Sequence, residues 1–348
     1  IAVLMNKEKI NTLLIGLGKI GCGYDYSEYF EVDKPYSSRK IISHARATSV
    51  HPKFNLIAGI DTDIKASKIF SSKYKKPSYD CIENLKRNSN DKIDLVIIAV
   101  FPKNQPKIVE DVINELNPKI LLLEKPLAIS LEGAKKIKKL CETKPDLIVF
   151  VNYVRRYLPL VKKWRDKIIS GEIGSFVSGN IIYGKGLLTN GSHFINLAEY
   201  WLGKFKYEKT LKNELKYQEF DKEASFILKT NENNSLLNIL SIGGYKLRAG
   251  ELDLWFEKGR LCWLNNGNSL HFWPRLSTKS VLETYDSLSQ DPQVHFTEIT
   301  KCQYYVLDSI NEYIYGDTDS PIPCSIDDCL ETMELMNYVL SSENKKWS

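Results

Sequence analysis

The stretch Ile120-Leu121-Leu122-Leu123-Glu124-Lys125-Pro126 decides the fold. Four aliphatic residues in a row suit a strand buried on both faces, as at the centre of a parallel sheet. Glu124 and Lys125 then fall just past the strand's carboxyl end, where open α/β sheets bind their ligands. The residue before a proline avoids the helical region, so Lys125 is held on an extended turn at the cleft. The chain before this point reads as a cofactor half, and the chain after it as a substrate half.

Working back toward the amino end, residues 11–15 form a short aliphatic strand. It runs into Gly16-Leu17-Gly18-Lys19-Ile20-Gly21, a G-x-G-x-x-G turn directly after a strand. Gly16 permits the tight turn, Gly18 lets a pyrophosphate approach the backbone, and Gly21 lets a helix pack on the strand. Lys19 and Ile20 complete the cradle, and the helix amino end presents N–H groups to the anion. The second strand, residues 54–60, ends at Asp61. An acidic side chain there accepts from ribose hydroxyls and repels a 2′-phosphate. That points to NAD, while Lys65 keeps NADP open. Asp61 also reads as a helix cap.

Gly21 and Asp61 lie 40 positions apart, where about 20 is usual. Residues 22–40, rich in Tyr, Asp, Glu and Ser and without helical period, read as an insertion. The helix resumes near Ile41, through His44 and Ala47. A functional loop at the cofactor mouth and a surface elaboration fit this insertion equally.

Further on, helices over 64–74 and 106–116 alternate with a strand over 93–101. This β-α-β-α-β order predicts right-handed crossovers and a parallel sheet. A helix over 131–143 and a strand over 147–151 follow. Asn152 to Tyr157 is a polar, doubly basic cluster, then a helix covers 159–170 and a strand 176–183. Gly184 to Asn196 leads into a helix that Gly203 stops after Leu202. Segments 223–229, 236–242, 251–256 and 260–264 alternate with period two, as in an antiparallel sheet with one covered face. Helices over 303–315 and 325–341 close the chain. The predicted class is α/β: a doubly wound Rossmann domain over 6–127, with its 22–40 insertion, then an α+β domain over 128–348. That second domain carries a large open-faced, mostly antiparallel sheet. Residues 128–151 and the last helix are expected to pack on the Rossmann domain.

Bulk properties remove several classes. A chain of 348 residues with 43% hydrophobic content has core enough for about two domains. The net charge is only +5 and the signs are interspersed. That speaks against nucleic acid or a membrane surface as partner. The apolar runs are short of a membrane span. Seven cysteines, an odd number without metal-type spacing, predict reduced thiols, a cytoplasmic setting and no metal. No secretory signal is visible, and Met5 reads as the natural start.

Three anchors together resemble the glucose–fructose oxidoreductase, inositol dehydrogenase and MocA family (Gfo/Idh/MocA): the GLGKIG turn, Glu124-Lys125-Pro126, and Gly191-x-His193 before a helix. The resemblance covers nearly the whole chain. It implies a Rossmann domain, an open-sheet domain, and NAD(P)-dependent chemistry on sugars, cyclitols or sugar nucleotides. Residues 152–157 and 183–196 resemble most the members tied to bacterial surface-polysaccharide pathways. In the family, the residues matching Lys125 and His193 line the substrate beside the nicotinamide ring. This chain departs from the family in one respect. Where members often carry an aspartate four residues before the histidine it has Thr189, followed by Asn190, and three residues after the histidine it has Asn196.

The chemistry fits these residue types. A secondary alcohol losing a hydride must also lose a proton, and its developing alkoxide needs a cation or donor. Lys125 supplies the cation and His193 the proton carrier. Glu124 joins Lys125 and the glycine turn as a cofactor-side residue. Asn152, Arg155, Arg156, Tyr183, Lys185 and Asn190 are the further substrate-side candidates. Lys125 as a surface lysine and His193 as a helix-start histidine are the plain alternatives. The function predicted is oxidation or reduction of a ring hydroxyl or ketone of a sugar or nucleotide sugar. A non-catalytic NAD- and sugar-binding regulator and an NAD-dependent glycosidase are the rivals. An open sheet face needs cover, which predicts a homodimer or homotetramer.

Overall fold

The structure is a computed structural model. It describes residues 9–26, 40–218, 221–243, 249–277, 285–316 and 321–341. Met5 and most of the 22–40 insertion lie outside these. The chain divides into two compact units, residues 1–157 with 300–330, and residues 158–299 with 331–348.

The first unit runs β1 (Ile10–Ile15), α1 (His44–Val50), β2 (Phe54–Ile60), α2 (Ile64–Tyr74), β3 (Ser78–Tyr79) and α3 (Ile82–Asn88). It continues with β4 (Leu95–Ile98), α4 (Gln105–Glu115), β5 (Ile120–Leu123), α5 (Leu131–Glu142) and β6 (Ile148–Val151). The six strands pair in parallel in the order β3-β2-β1-β4-β5-β6, the doubly wound Rossmann arrangement. Strands β4 and β5 are wholly buried, as their unbroken aliphatic runs require. β6 extends the sheet beyond the boundary expected at residue 127, because Ile120 to Leu123 pair with Ile148 to Val151.

The helix expected straight after the glycine turn is built from two pieces. The amides of Cys22 and Gly23 close a turn on the Gly18 carbonyl, and a 3-10 turn covers Gly23–Tyr26. The helical ladder then resumes from the other side of the insertion. The His44 amide donates to the Ile20 carbonyl at 3.0 Å, and the Ala45 amide to the Gly21 carbonyl at 2.9 Å. Ser43 caps the new segment through the Arg46 amide.

The second unit comprises α6 (Pro159–Ile169), β7 (Phe176–Tyr183), α7 (Ser192–Leu202), β8 (Phe205–Gln218), β9 (Asp221–Thr230) and β10 (Leu236–Ser241). It continues with β11 (Gly250–Phe256), β12 (Gly259–Leu264), β13 (Ser269–Leu276), β14 (Ser287–Leu288) and β15 (Gln293–Phe296). These form one sheet in the order β14-β13-β12-β11-β7-β10-β9-β8, with β15 beside β13. Only the β7–β10 pair is parallel among the described strands. One face is covered: Ile181, Leu254, Leu261 and Trp263 are buried. Trp164 of α6 lies 5.1 Å from Phe272, and Trp201 of α7 6.3 Å from Trp263. On the other face Ile182, Trp255, Val294 and Phe296 are exposed. Two further helices close the chain, α8 (Cys302–Tyr315) in the first unit and α9 (Ile326–Ser341), whose first residues belong to the first unit and the rest to the second.

Candidate functional site

At the carboxyl end of β5, Glu124 turns inward rather than out to solvent. Its Oε1 is 2.8 Å from His44 Nε2 and accepts from Asn152 Nδ2 at 2.6 Å. Its Oε2 accepts from the Lys125 amide at 3.2 Å. His44 is 1% exposed and Asn152 1%. Burial alone would push the Glu124 carboxyl up; His44, Asn152 and the nearby Lys125 charge outweigh it and hold the carboxyl below its ordinary value. The turn that follows is gripped from α4. Gln105, fully buried at the helix start, donates its amide to the carbonyls of Glu124 (2.8 Å) and Leu127 (2.9 Å). The Lys125–Pro126 bond is cis. Lys125 is thus set on a turn whose backbone is fixed on both sides.

Asn152 also donates to Gln303 Oε1 of α8 at 3.3 Å. Asn152 Oδ1 and Gln303 Nε2 find no partner among the described residues. Buried unpaired polar atoms are rare, and here two sit in one network beside Lys125.

The glycine turn meets the tests of a dinucleotide cradle. Gly16 has φ +95°, and a Cβ there would lie 2.4 Å from the Ala99 carbonyl oxygen; at Gly21 it would lie 2.0 Å from the Gly16 oxygen. Both positions require glycine. At Gly18 a Cβ would meet nothing within 4 Å, so that side of the turn is open. Gly18 and Lys19 are exposed, and Ile20 is half-buried. A cleft of about 440 Å³ adjoins the turn at the strand ends, lined by Gly16, Gly18, Asp61, Thr62, Phe101 and others. Its carboxylates are Asp61, Asp80, Glu83, Asp111 and Glu115, and no lysine or arginine lines it among the described residues. Asp61 already accepts from the Leu17 amide at 2.6 Å and the Asp63 amide at 2.8 Å. A carboxylate has about four acceptor sites, so it ties β2 to the glycine turn and keeps capacity for hydroxyl donors.

The other basic candidates in this unit, Arg155 and Arg156, are both buried. Arg156 is buried, 2.8 Å from Asp328, and reaches the Pro323 carbonyl. It was expected among the substrate contacts, but its guanidinium is taken up by α9. Arg155 is buried as well.

In the second unit, β7 ends at Tyr183, whose buried hydroxyl donates to the Ala224 carbonyl and accepts from the Ala224 amide. Asn190 donates to the carbonyls of Gly184 (2.7 Å) and Ala249 (2.8 Å). Both were expected substrate contacts; here Tyr183 ties β7 to β9 and Asn190 braces the turn. Lys185 is exposed at φ 67°. A π-helical turn, Leu187–Gly191, runs directly into α7. His193 is half-buried in its first turn. Asn196 is fully buried and donates to Thr332 at 2.9 Å.

His44 escaped the sequence reading as a site residue. It is 80 positions from Glu124, and its only sequence signal was its place where the helix resumes. Glu124→Gln is expected to put an amide donor among His44 and Asn152 and to cost about 1.5–3 kcal/mol. Because the folded carboxyl titrates below its ordinary 4.5, this stabilisation is fully present above that value and lost as pH falls through the folded one. Urea unfolding of both proteins at pH 7 and pH 4 checks it: the gap should be larger at pH 7.

Residues 10–153 match the model of an oxidoreductase family with an NAD-binding Rossmann fold. No curated protein matches the sequence. Among solved structures, an oxidoreductase from Agrobacterium radiobacter, in complex with NAD+, L-tartaric acid and magnesium, is 16% identical. It has a TM-score of 0.70, with 97% of each chain covered. KijD10, a 3-ketoreductase from Actinomadura kijaniata in complex with NADP and TDP-benzene, is 14% identical with a TM-score of 0.68, covering 95% of this chain and 96% of that one. A super-repressor mutant of Gal80p from Saccharomyces cerevisiae is 16% identical with a TM-score of 0.71 and 96% of each chain covered. At these identities the likeness is one of fold, and it extends over both units. Over residues 10–153 of its first unit the chain is similar to the Gfo/Idh/MocA family of NAD-binding oxidoreductases.

Proposed function

We propose that the protein is an NAD-dependent oxidoreductase acting on a ring hydroxyl, or the corresponding ketone, of a sugar or sugar nucleotide. The observation that carries this is the fixed turn at Glu124-Lys125-Pro126, beside the carboxyl ends of a Rossmann sheet with an open glycine cradle. Bound nicotinamide would exchange the hydride. Lys125 donates to the substrate oxygen and stabilises its developing negative charge. His193 holds the proton that the oxygen gives up or takes back. Glu124, locked inward, keeps a negative charge near the Lys125 ammonium and favours its charged form. Lys185 is the exposed cation available to a substrate phosphate or sugar oxygen. Asn152, Arg155 and Arg156 of the first unit, and Tyr183 and Asn190 of the second, are the further substrate-side candidates.

NAD is favoured over NADP by the cleft itself. A 2′-phosphate would meet Asp61 and the neighbouring carboxylates without a lining cation. The likeness of residues 152–157 and 183–196 to members of surface-polysaccharide pathways supports a role there. The seven free thiols support a reducing, cytoplasmic setting, and no described helix is long and apolar enough to cross a membrane. The exposed apolar face of the second unit's sheet, with Ile182, Trp255, Val294 and Phe296, supports a homodimer or homotetramer built on it.

A regulatory reading has its own support. Thr189 and Asn196 stand where many members of the family this chain resembles carry aspartates, Asn196 is tied to Thr332, and a super-repressor is among the similar folds. Such a protein would bind NAD and sugar without turnover.

Three outcomes are expected. Lys125→Ala lowers turnover by about 10²-fold or more while NADH affinity, read by tryptophan-to-nicotinamide energy transfer, is retained; wild-type turnover in that variant would sink the assignment. NADH binds at least about 10-fold more tightly than NADPH, and the reverse order would mean that a cation outside the lined cleft reads the phosphate. Light scattering at micromolar concentration gives a multiple of 39.9 kDa; a monomer mass would remove the sheet-face interface.

A further inference from the structure

Two carboxylates in the second unit have no part in the chemistry above. Asp221 is 1% exposed and Glu223 2%. They lie two apart on β9, hence on one face of the strand. Carboxylates are rarely buried so completely unless donors surround them. Here most of the donors come from one short segment, an exception being Ser241 of β10. The Gly186 amide donates to Glu223 Oε1 at 3.0 Å, and Ser241 Oγ donates to Oε2 at 2.5 Å. The Leu188 amide donates to Asp221 Oδ1 at 2.9 Å and the Thr189 amide to Oδ2 at 2.8 Å. The Thr189 hydroxyl donates to the same carboxylate. Burial pushes the Asp221 carboxyl up, against these hydrogen bonds.

The segment so held is the π turn that becomes α7, and His193 follows Thr189 by four residues, about one turn further on. Residues 186–192 contain no acidic side chain. The negative group that pairs with the turn's amides is delivered from the neighbouring strand. The fit is close: Gly186 has φ +83°, and a Cβ there would lie 2.1 Å from Asp221 Oδ2. Glycine at 186 and aspartate at 221 are therefore two halves of one contact.

We propose that Asp221 is a positioning residue for His193, fixing the turn 187–191 and through it the placement of the imidazole. Its catalytic consequence rests on the reading of His193 as proton carrier; its geometric content does not.

The test uses the full chain with labelled histidine, the His193 ring signals being assigned by their loss in His193→Gln. In Asp221→Asn the His193 signals are expected to shift or broaden, while those of His271 and His295, in the same unit, stay in place. Thr189→Val removes one donor and leaves the fold; it is expected to move the same signals by less, and it decides the matter if Asp221→Asn does not fold. Ser192→Ala, whose hydroxyl bonds the Leu188 carbonyl in the same turn, is the control for mere proximity. Unchanged His193 signals in both acid-turn variants, or an equal shift in the control, would overturn the proposal. Where turnover is measurable, Asp221→Asn is expected to lower kcat by about 10- to 100-fold with the KM for NADH unchanged. A wild-type protein without turnover would instead refute the oxidoreductase reading, and the ring signals would still decide the role of Asp221.

Discussion

A largely enclosed carboxylate, Glu124, ties together three segments at the carboxyl end of the first unit's sheet. An uncompensated charge in that place would be costly. The chain compensates it with groups from three separate segments: His44 from α1, Asn152 from just past β6, and the Lys125 amide from the same turn. Each of those segments is positioned by the parallel sheet. The groups that satisfy the carboxylate meet where the strands end in register, and the turn carrying Lys125 is held both by the carboxylate and by Gln105. Fold and site are thereby coupled through one side chain.

The two units present different electrostatic solutions to related problems. In the first, acidic groups gather round an open cleft beside backbone amides, which suits a partly hydroxylic, partly anionic ligand. In the second, acidic groups are withdrawn from solvent and used against the backbone of a single turn. Asp61 does both, bridging β2 to the glycine turn while facing the cleft.

Much of the architecture is legible from local pattern. Aliphatic runs and period-two alternation mark Phe54–Ile60 and Phe176–Tyr183 at their observed ends, and amphipathic spacing marks Ile64–Tyr74. The long edge strand Phe205–Gln218 is not legible, because its lysine-rich sequence and repeated register shifts blur the alternation. Residues 269–276 and 82–88 are too short or mixed to declare themselves. The glycine turn and the turn at Lys125 are legible because each is written in a short local run of residues. The contacts of His44 and Asp221 are not, because each spans a long sequence separation that only the folded chain closes. Arg156 shows the converse: a cation beside a cleft motif looks like a ligand reader until its partner on a distant helix is seen.

The helix after the glycine turn is assembled from two stretches of chain, with His44 and Ala45 hydrogen-bonded to Ile20 and Gly21. Its ladder is carried across the insertion by hydrogen bonds between stretches that are distant in sequence. The cost of closing a loop grows only slowly with its length, so the connection between those stretches can change in length or composition while the ladder is kept. This is where the chain can accept new sequence without redesigning the sheet. Because His44 stands at the junction and reaches Glu124, whatever is grafted there starts within one helical turn of the group that orders the Lys125 turn.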